Sequence, residues 1–354
     1  MGKHPFLRRN WRLILNVVTL VALAVLIYAI RHQLLQTLKD LAHVNAWWLL
    51  SMIPIQMLNY HAQTKLYQDL FAVVGNKLRY GRLLRASIEL NFMNHVFPSG
   101  GVSGISYFGV RMRDKEITGS RATLVQLMKL VLLFLSFEIL LVFGLVVMAI
   151  GNQANDFVVL VTSSLTTVLI LGTFAFVGII GSRSRIHATF TFLTKAMNRL
   201  IHYFRPHYPE TISIARVENV LEELHNNYKT IESRWRQLKW PLFWAFVANL
   251  TEVLTIYVVY LAFGHVVNVG AVILAYAVAN FAGLVSILPG GIGIYETLMT
   301  GVLAAAGIPA SLSIPVTVMY RVINTLIQIT PGYVLYHHAL QSRSNDGANP
   351  TPEV

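Results

Sequence analysis

Leu288-Pro289-Gly290-Gly291-Ile292-Gly293-Ile294-Tyr295-Glu296 cuts through an apolar stretch covering residues 271–306. Proline removes a backbone donor and glycine permits positive φ, so no regular helix runs through this point. The segment reads as two apolar half-helices meeting at a glycine tip. The half-helix after the tip begins with unpaired N–H groups and the positive end of its dipole, which together suit an anion. Glu296 follows within one turn. A second break, Pro98-Ser99-Gly100-Gly101-Val102-Ser103-Gly104, interrupts the apolar residues 83–110.

The surroundings of the earlier break are basic on both sides. Lys77, Arg79, Arg82 and Arg85 come before it, and Arg111, Arg113, Lys115 and Arg121 come after it. Lys and Arg collect in cytoplasmic loops. A single crossing would strand one cluster outside, whereas a re-entrant hairpin keeps both inside. Residues 265–270 and 307–313, which flank the later break, contain no Lys or Arg, so charge does not orient that hairpin. Symmetry does. The breaks lie in the second and last quarters of the chain, and broken apolar segments at corresponding places in two halves point to an inverted repeat with a site at mid-membrane. The hairpins are then opposed, one entering from each side. The alternative is eight full spans joined by Pro-Gly-Gly loops.

Composition agrees with a membrane protein. Of the 354 residues, 55% are hydrophobic and 12% charged, about half the ~25% charged residues usual in soluble domains. An ordinary cytosolic enzyme is excluded. Apolar residues 13–30, 46–63, 122–150, 157–181, 241–264 and 314–336 are long enough to cross a bilayer. The fold class is therefore an all-α polytopic membrane protein, with about six full spans plus two opposed hairpins.

Lys3, Arg8, Arg9 and Arg12 place the N-terminus in the cytoplasm, and Arg343 places the C-terminus there too. The whole chain, 1–354, reads as one integral membrane domain. Its halves are 1–181 and 241–340, joined by a cytoplasmic linker, 182–240, and followed by a disordered tail, 341–354. In the linker, Val217, Leu221, Leu224, Tyr228, Ile231, Trp235 and Leu238 recur at helical spacing and form one apolar stripe. The net charge of +12 suits cytoplasmic loops beside anionic lipids rather than nucleic acid. With no cysteine, thiolate nucleophiles and Cys-ligated metals are excluded. There is no phosphate-binding GKS/T loop and no nucleophile–His–acid arrangement, so neither catalysis nor a cofactor is expected.

Several charges fall where lipid should be, at a cost of about 2.5–3.5 kcal/mol each at the bilayer centre. At ~1.5 Å per residue, Glu252 lies about 16 Å into its span and Arg321 roughly 13 Å from the outer end of the last one. Glu138 is similarly deep. Glu296 sits at hairpin depth and Glu89 on the corresponding limb of the first hairpin. Lys129 is shallower, with a stem long enough to snorkel. Glu296 with Arg321 reads either as a buried ion pair or as a substrate site. Glu138 and Glu252 read either as functional charges facing a cavity or as neutral groups bonding between helices. The breaks add Pro98, Gly100, Gly101, Pro289, Gly290, Gly291 and Gly293 to the candidate binding residues.

The later motif, followed by Gly307-Ile308-Pro309 and Tyr320-Arg321, resembles the lysylphosphatidylglycerol synthase transmembrane, or flippase-like, family. Pro98-Ser99-Gly100-Gly101 with Arg111 and Arg113 is similar to that family's first block. The resemblance covers residues 13–340. It implies that Pro289, Gly290, Gly291, Gly293, Glu296 and Arg321 bind substrate, with Arg111 from the first block. Where the family carries an acid after the first glycines and a Glu-Arg pair on the next helix, this chain has Ser103, Gly104, Ile105, Gln126 and Lys129, so Lys129 stands in for the cation. The chain ends at Val354, so a soluble aminoacyl-transferase domain is not expected. The implied function is a lipid translocase in a prokaryotic cytoplasmic membrane, passing an anionic or zwitterionic phospholipid between leaflets. The alternative is a non-transporting subunit that positions a lipid-modifying enzyme or glycosyltransferase.

Overall fold

The computed structural model describes residues 21, 28, 31–33, 35–96, 107–109, 111–112, 117–151, 155–185, 187–189, 191–192, 228–229, 231–285 and 293–346. Among them there are helices and no strands. The principal helices are α1 (Ala46–Leu50), α2 (Met52–Val73), α3 (Tyr80–Val96), α4 (Gly119–Ile150), α5 (Asp156–Ile180), α6 (Lys239–Ala262), α7 (Val269–Val285), α8 (Ile294–Ala305) and α9 (Ala310–Asp346). Pro98, Gly100, Gly101, Pro289, Gly290 and Gly291 lie outside the described residues, as does nearly all of the expected span 13–30.

Four described helices are long and apolar enough to cross a membrane: Arg121–Ile150, Asp156–Ile179, Trp235–Ala262 and Ala310–His337. They match four of the expected spans. The expected span 46–63 differs. It is divided at Ser51, and α2 continues to Val73 through Gln56, Asn59, Gln63, Lys65 and Asp69. These polar residues keep α2 from qualifying by composition, and the deeper ones face protein. Asn59 Nδ2 donates to Ala248 O at 2.9 Å and to Thr251 Oγ1 at 2.8 Å on α6.

α3 and α7 have 17 residues each and α8 has 12. At ~1.5 Å per residue the described parts are about 25, 25 and 18 Å long, and α8, bounded by Gly293 and Ala306, is short of the ~30 Å hydrocarbon layer. Their ends are informative. Before α3, Asn76 Oδ1 accepts from Arg121 Nη1 at 3.1 Å, at the start of α4. Arg82 Nη2 likewise donates to Met112 O at 3.1 Å. The chain entering the first break and the chain leaving it therefore lie together, at one end of α4. Around the second break, Asn268 lies against Gly151, and Asn155 Nδ2 donates to Ala305 O at 2.7 Å. Both ends of that segment lie at the opposite end of α4. The described ends of the two segments thus lie at opposite ends of α4.

α6 is the hub, packed against α1, α2, α4, α7 and α9. Two close crossings tie the short helices to long ones. A Cβ on Gly270 would lie 2.3 Å from Gly144 O and 2.7 Å from Met148 Cγ, so α7 meets α4 backbone to backbone. A Cβ on Gly332 would lie 2.4 Å from Phe92 Cβ, which seats α9 on α3. The outward faces of α4 and α5 expose Val142, Phe143, Val146, Leu160, Leu171 and Phe174, as a lipid environment allows.

Two expectations are corrected. The linker stripe does not stay on one face. Ile231 is buried and Leu238 packs on the core, but Trp235 is exposed, because Trp235–Leu238 is a 3-10 turn whose period differs from 3.6. Val217, Leu221 and Leu224 lie outside the described residues. The tail expected to be disordered from 341 is helical as far as Asp346. Residues 333–346 hold no Gly or Pro, and Gly347 is the first breaker.

Candidate functional site

Gly293 opens α8 with φ +86°, a left-handed conformation that a Cβ would strain. The turn aims Glu296 back at its own helix start, where Oε2 accepts from Gly293 N at 2.7 Å. Glu296 Oε1 lies 2.8 Å from Arg321 Nη1 on α9 and accepts from Gln33 Nε2 at 2.9 Å. The Arg321 guanidinium sits 4.7 Å above the centre of the Tyr295 ring. The two charged side chains stay 13% and 15% accessible. The half-helix start expected to be open to an anion is thus already filled by one, the protein's own carboxylate.

The first break contributes from the other side. His95, in the last turn of α3, has its Nδ1 2.8 Å from Asn91 O and lies within electrostatic reach of Arg321. His95, at the end of α3, and Gly293–Glu296, at the start of α8, flank the two breaks, and of these Glu296 touches the guanidinium.

Next to it lies a polar cluster that the sequence reading found only in part. Tyr320 Oη donates to Glu252 Oε2 at 3.2 Å, and Asn324 Nδ2 donates to the same oxygen at 3.3 Å. Tyr60 from α2, Tyr276 from α7 and Tyr295 from α8 lie within electrostatic range of the same carboxyl, and Tyr295 adjoins Tyr320. Tyr60, Tyr276, Tyr295, Tyr320, Asn324 and Gln33 were not among the expected site residues. A signal existed in α9. Ser313, Thr317, Tyr320, Asn324 and Gln328 recur at helical spacing through an apolar helix, and all are buried.

Two other candidates form separate groups. Arg111, read as part of a basic cytoplasmic cluster, instead pairs with Glu89, its Nε 2.7 Å from Oε2, and Tyr107 Oη donates to the same oxygen at 2.7 Å. Glu89 is almost wholly buried, so the ion pair closes the two limbs of the first segment. Lys129 does not snorkel. It is buried, donating to Gln63 Oε1 and to Tyr67 Oη at 3.1 Å each. Tyr67 passes the chain on by donating to Gln126. The inward stem is held because α2 presents two acceptors at its tip. Among the described residues Glu138 bonds to Thr173, at 3.5 Å, between α4 and α5.

The model of the lysylphosphatidylglycerol synthase TM region matches residues 14–332. A UPF0104 membrane protein of Methanothermobacter thermautotrophicus is 30% identical over 119 residues, 32% of this chain and 36% of that protein. One of Methanocaldococcus jannaschii is 22% identical over 305 residues, 84% of this chain and 86% of that protein. One of Pyrococcus horikoshii is 24% identical over 146 residues, 40% and 44% of the two chains. With the match running through both interrupted segments and on past Arg321, the chain belongs to the family of the lysylphosphatidylglycerol synthase TM region, membrane proteins of lipid metabolism.

Proposed function

We propose that the chain moves an anionic or zwitterionic phospholipid, or a lipid-linked phosphate, between leaflets, and that Arg321 takes the headgroup phosphate. The observation carrying this reading is the seat of Arg321 against the start of α8, where it already holds an anion in a partly accessible position. A phosphate offers several charged acceptor oxygens and arginine a planar fork of donors. Glu296 stands in the phosphate's place. An incoming headgroup displaces it from Arg321 and from Gly293 N–H, and Glu296 returns when the lipid leaves. The site is then neither empty nor fully exposed at any stage. No bond is made or broken, so the activity is transport rather than catalysis.

The architecture that goes with this reading has six spans and two opposed re-entrant hairpins, with both termini in the cytoplasm and the chain in a prokaryotic cytoplasmic membrane. Support comes from the paired ends of each interrupted segment at opposite ends of α4, together with the basic residues flanking the first.

The test is purified protein in phospholipid vesicles carrying a headgroup- or chain-labelled phospholipid, with the outer leaflet quenched chemically. Wild type should expose inner-leaflet label, and Arg321→Gln should not. Equal rates for the two would end the assignment of Arg321. A wild type that moves no lipid would favour a membrane subunit that positions a lipid-modifying enzyme.

A further inference from the structure

Glu252 takes no part in the phosphate site, yet it is set deep in α6 with no cation paired to it among the described residues. Its Oε2 holds both of its described hydrogen bonds, from Tyr320 Oη and Asn324 Nδ2. Tyr320 on α9 is the tyrosine whose hydroxyl touches it, and Tyr60 on α2, Tyr276 on α7 and Tyr295 on α8 lie within electrostatic range. The ionisable groups of α4 are engaged elsewhere, Arg121 with Asn76, Lys129 with Gln63 and Tyr67, and Glu138 with Thr173. α1 has no titratable residue, and Arg236 in the 3-10 turn before α6 lies over Trp235. A carboxylate without a counter-charge at this depth is costly, and such groups in membranes mark ion or proton pathways.

Asn324 shows how a neutral carboxyl fits. Its Nδ2 donates to Glu252, while its Oδ1, buried, has no partner among the described residues. A carboxylic acid and an amide pair fully when the amide N–H meets one acid oxygen and the acid O–H meets the amide oxygen. Half of that pair is already formed. A route also leads to it. Ser313 and Thr317 are wholly buried one turn apart on the face of α9 that carries Tyr320 and Asn324, and neither hydroxyl has a partner among the described residues. They run from the start of α9, at Ala310, toward Glu252.

Resting on the translocase reading, we propose that Glu252 is a proton-binding site, reached along Ser313 and Thr317, whose loading and unloading drives lipid movement. In the step, a proton from the aqueous phase at the start of α9 joins a lone pair on Glu252 Oε1. The carboxylate becomes neutral, the O–H donates to Asn324 Oδ1, and release regenerates the carboxylate. No other bond changes. Tyr320 links the two sites, since it donates to Glu252, adjoins Tyr295 beneath the guanidinium and precedes Arg321 in the chain.

Infrared spectroscopy of the full chain in vesicles of phosphatidylglycerol and phosphatidylethanolamine tests the site directly. Wild type should show a carboxylic-acid C=O stretch that titrates with pH and is absent from Glu252→Gln. Should Glu252→Gln fail to fold, Glu252→Asp should keep the band but shift its titration. A band that survives in Glu252→Gln, is missing throughout in wild type, or is abolished by sodium ions overturns the proposal, the last in favour of a sodium site. Coupling is read in the same vesicles under a pH gradient. Wild type should gather labelled phospholipid in one leaflet, Glu252→Gln should lose that asymmetry and Thr317→Val should slow it. Asymmetry retained in Glu252→Gln refutes coupling. If wild type moves no lipid, the translocase reading and the coupling fall together, whereas the infrared band still decides whether Glu252 binds a proton.

Discussion

Glu296 bonds at once to the first N–H of its own helix, Gly293 N at 2.7 Å, and to Arg321 on α9 at 2.8 Å. One carboxylate therefore starts α8 and docks it to α9. Removing either charge alone leaves the other in a low-dielectric setting, at about 3–5 kcal/mol for a buried pair and less at this partial exposure. Arg321→Met and Glu296→Gln should each lower thermal stability in detergent, and the double variant should regain much of it. Transport should stay lost in the double variant. A double variant that transports at the wild-type rate would reduce the pair to a structural clamp.

The paired ends of the first interrupted segment make a prediction about sidedness. Lys77 and Thr118 are both exposed and flank that segment. Cysteines placed singly at these positions in a chain without native cysteine should both react with a membrane-impermeant maleimide from the cytoplasmic side alone. Labelling of the two from opposite sides would make residues 83–110 a full span.

Helix crossings set a contrast between two glycines. Gly270→Leu puts a side chain where Gly144 O and Met148 Cγ already stand, 2.3 and 2.7 Å from the new Cβ. Overpacking of this kind costs about 1–3 kcal/mol or more. Gly301→Ala, with nothing within 4 Å of its Cβ, should instead stabilise α8 by about 0.5–1 kcal/mol. Thermal unfolding of the two variants in detergent should move in opposite directions.

Glu89 and Arg111 differ in accessibility, at 2% and 25%, so the two truncations should not be equal. Arg111→Leu leaves a buried carboxylate with only Tyr107 as donor and should be the more damaging. Glu89→Gln keeps an acceptor for Tyr107 and frees a cation that solvent reaches. Equal melting temperatures for the two variants would overturn the asymmetry, and values equal to wild type for both would mean that the pair contributes nothing to closing the segment.

The long helices and the turn at Gly293 are legible in the chain because they are local. An apolar run of some 20 residues, or a proline beside glycines, acts through its own backbone whatever surrounds it. Glu296 and Arg321 were legible as a pair for a related reason, since so few charges share that depth. The partner of Arg111 was not legible because charge counting sees a basic cluster and not the buried acid facing one member of it. Lys129 was misread because snorkelling depends on whether acceptors wait inside, and Gln63 and Tyr67 are more than 60 residues away. The tyrosines around Glu252 come from four different helices. Composition and order along the chain determine which segments enter the membrane and where they break. Which side chains meet there depends on how the helices rotate and cross at Gly144, Gly270 and Gly332, and close packing sets that for the whole bundle at once.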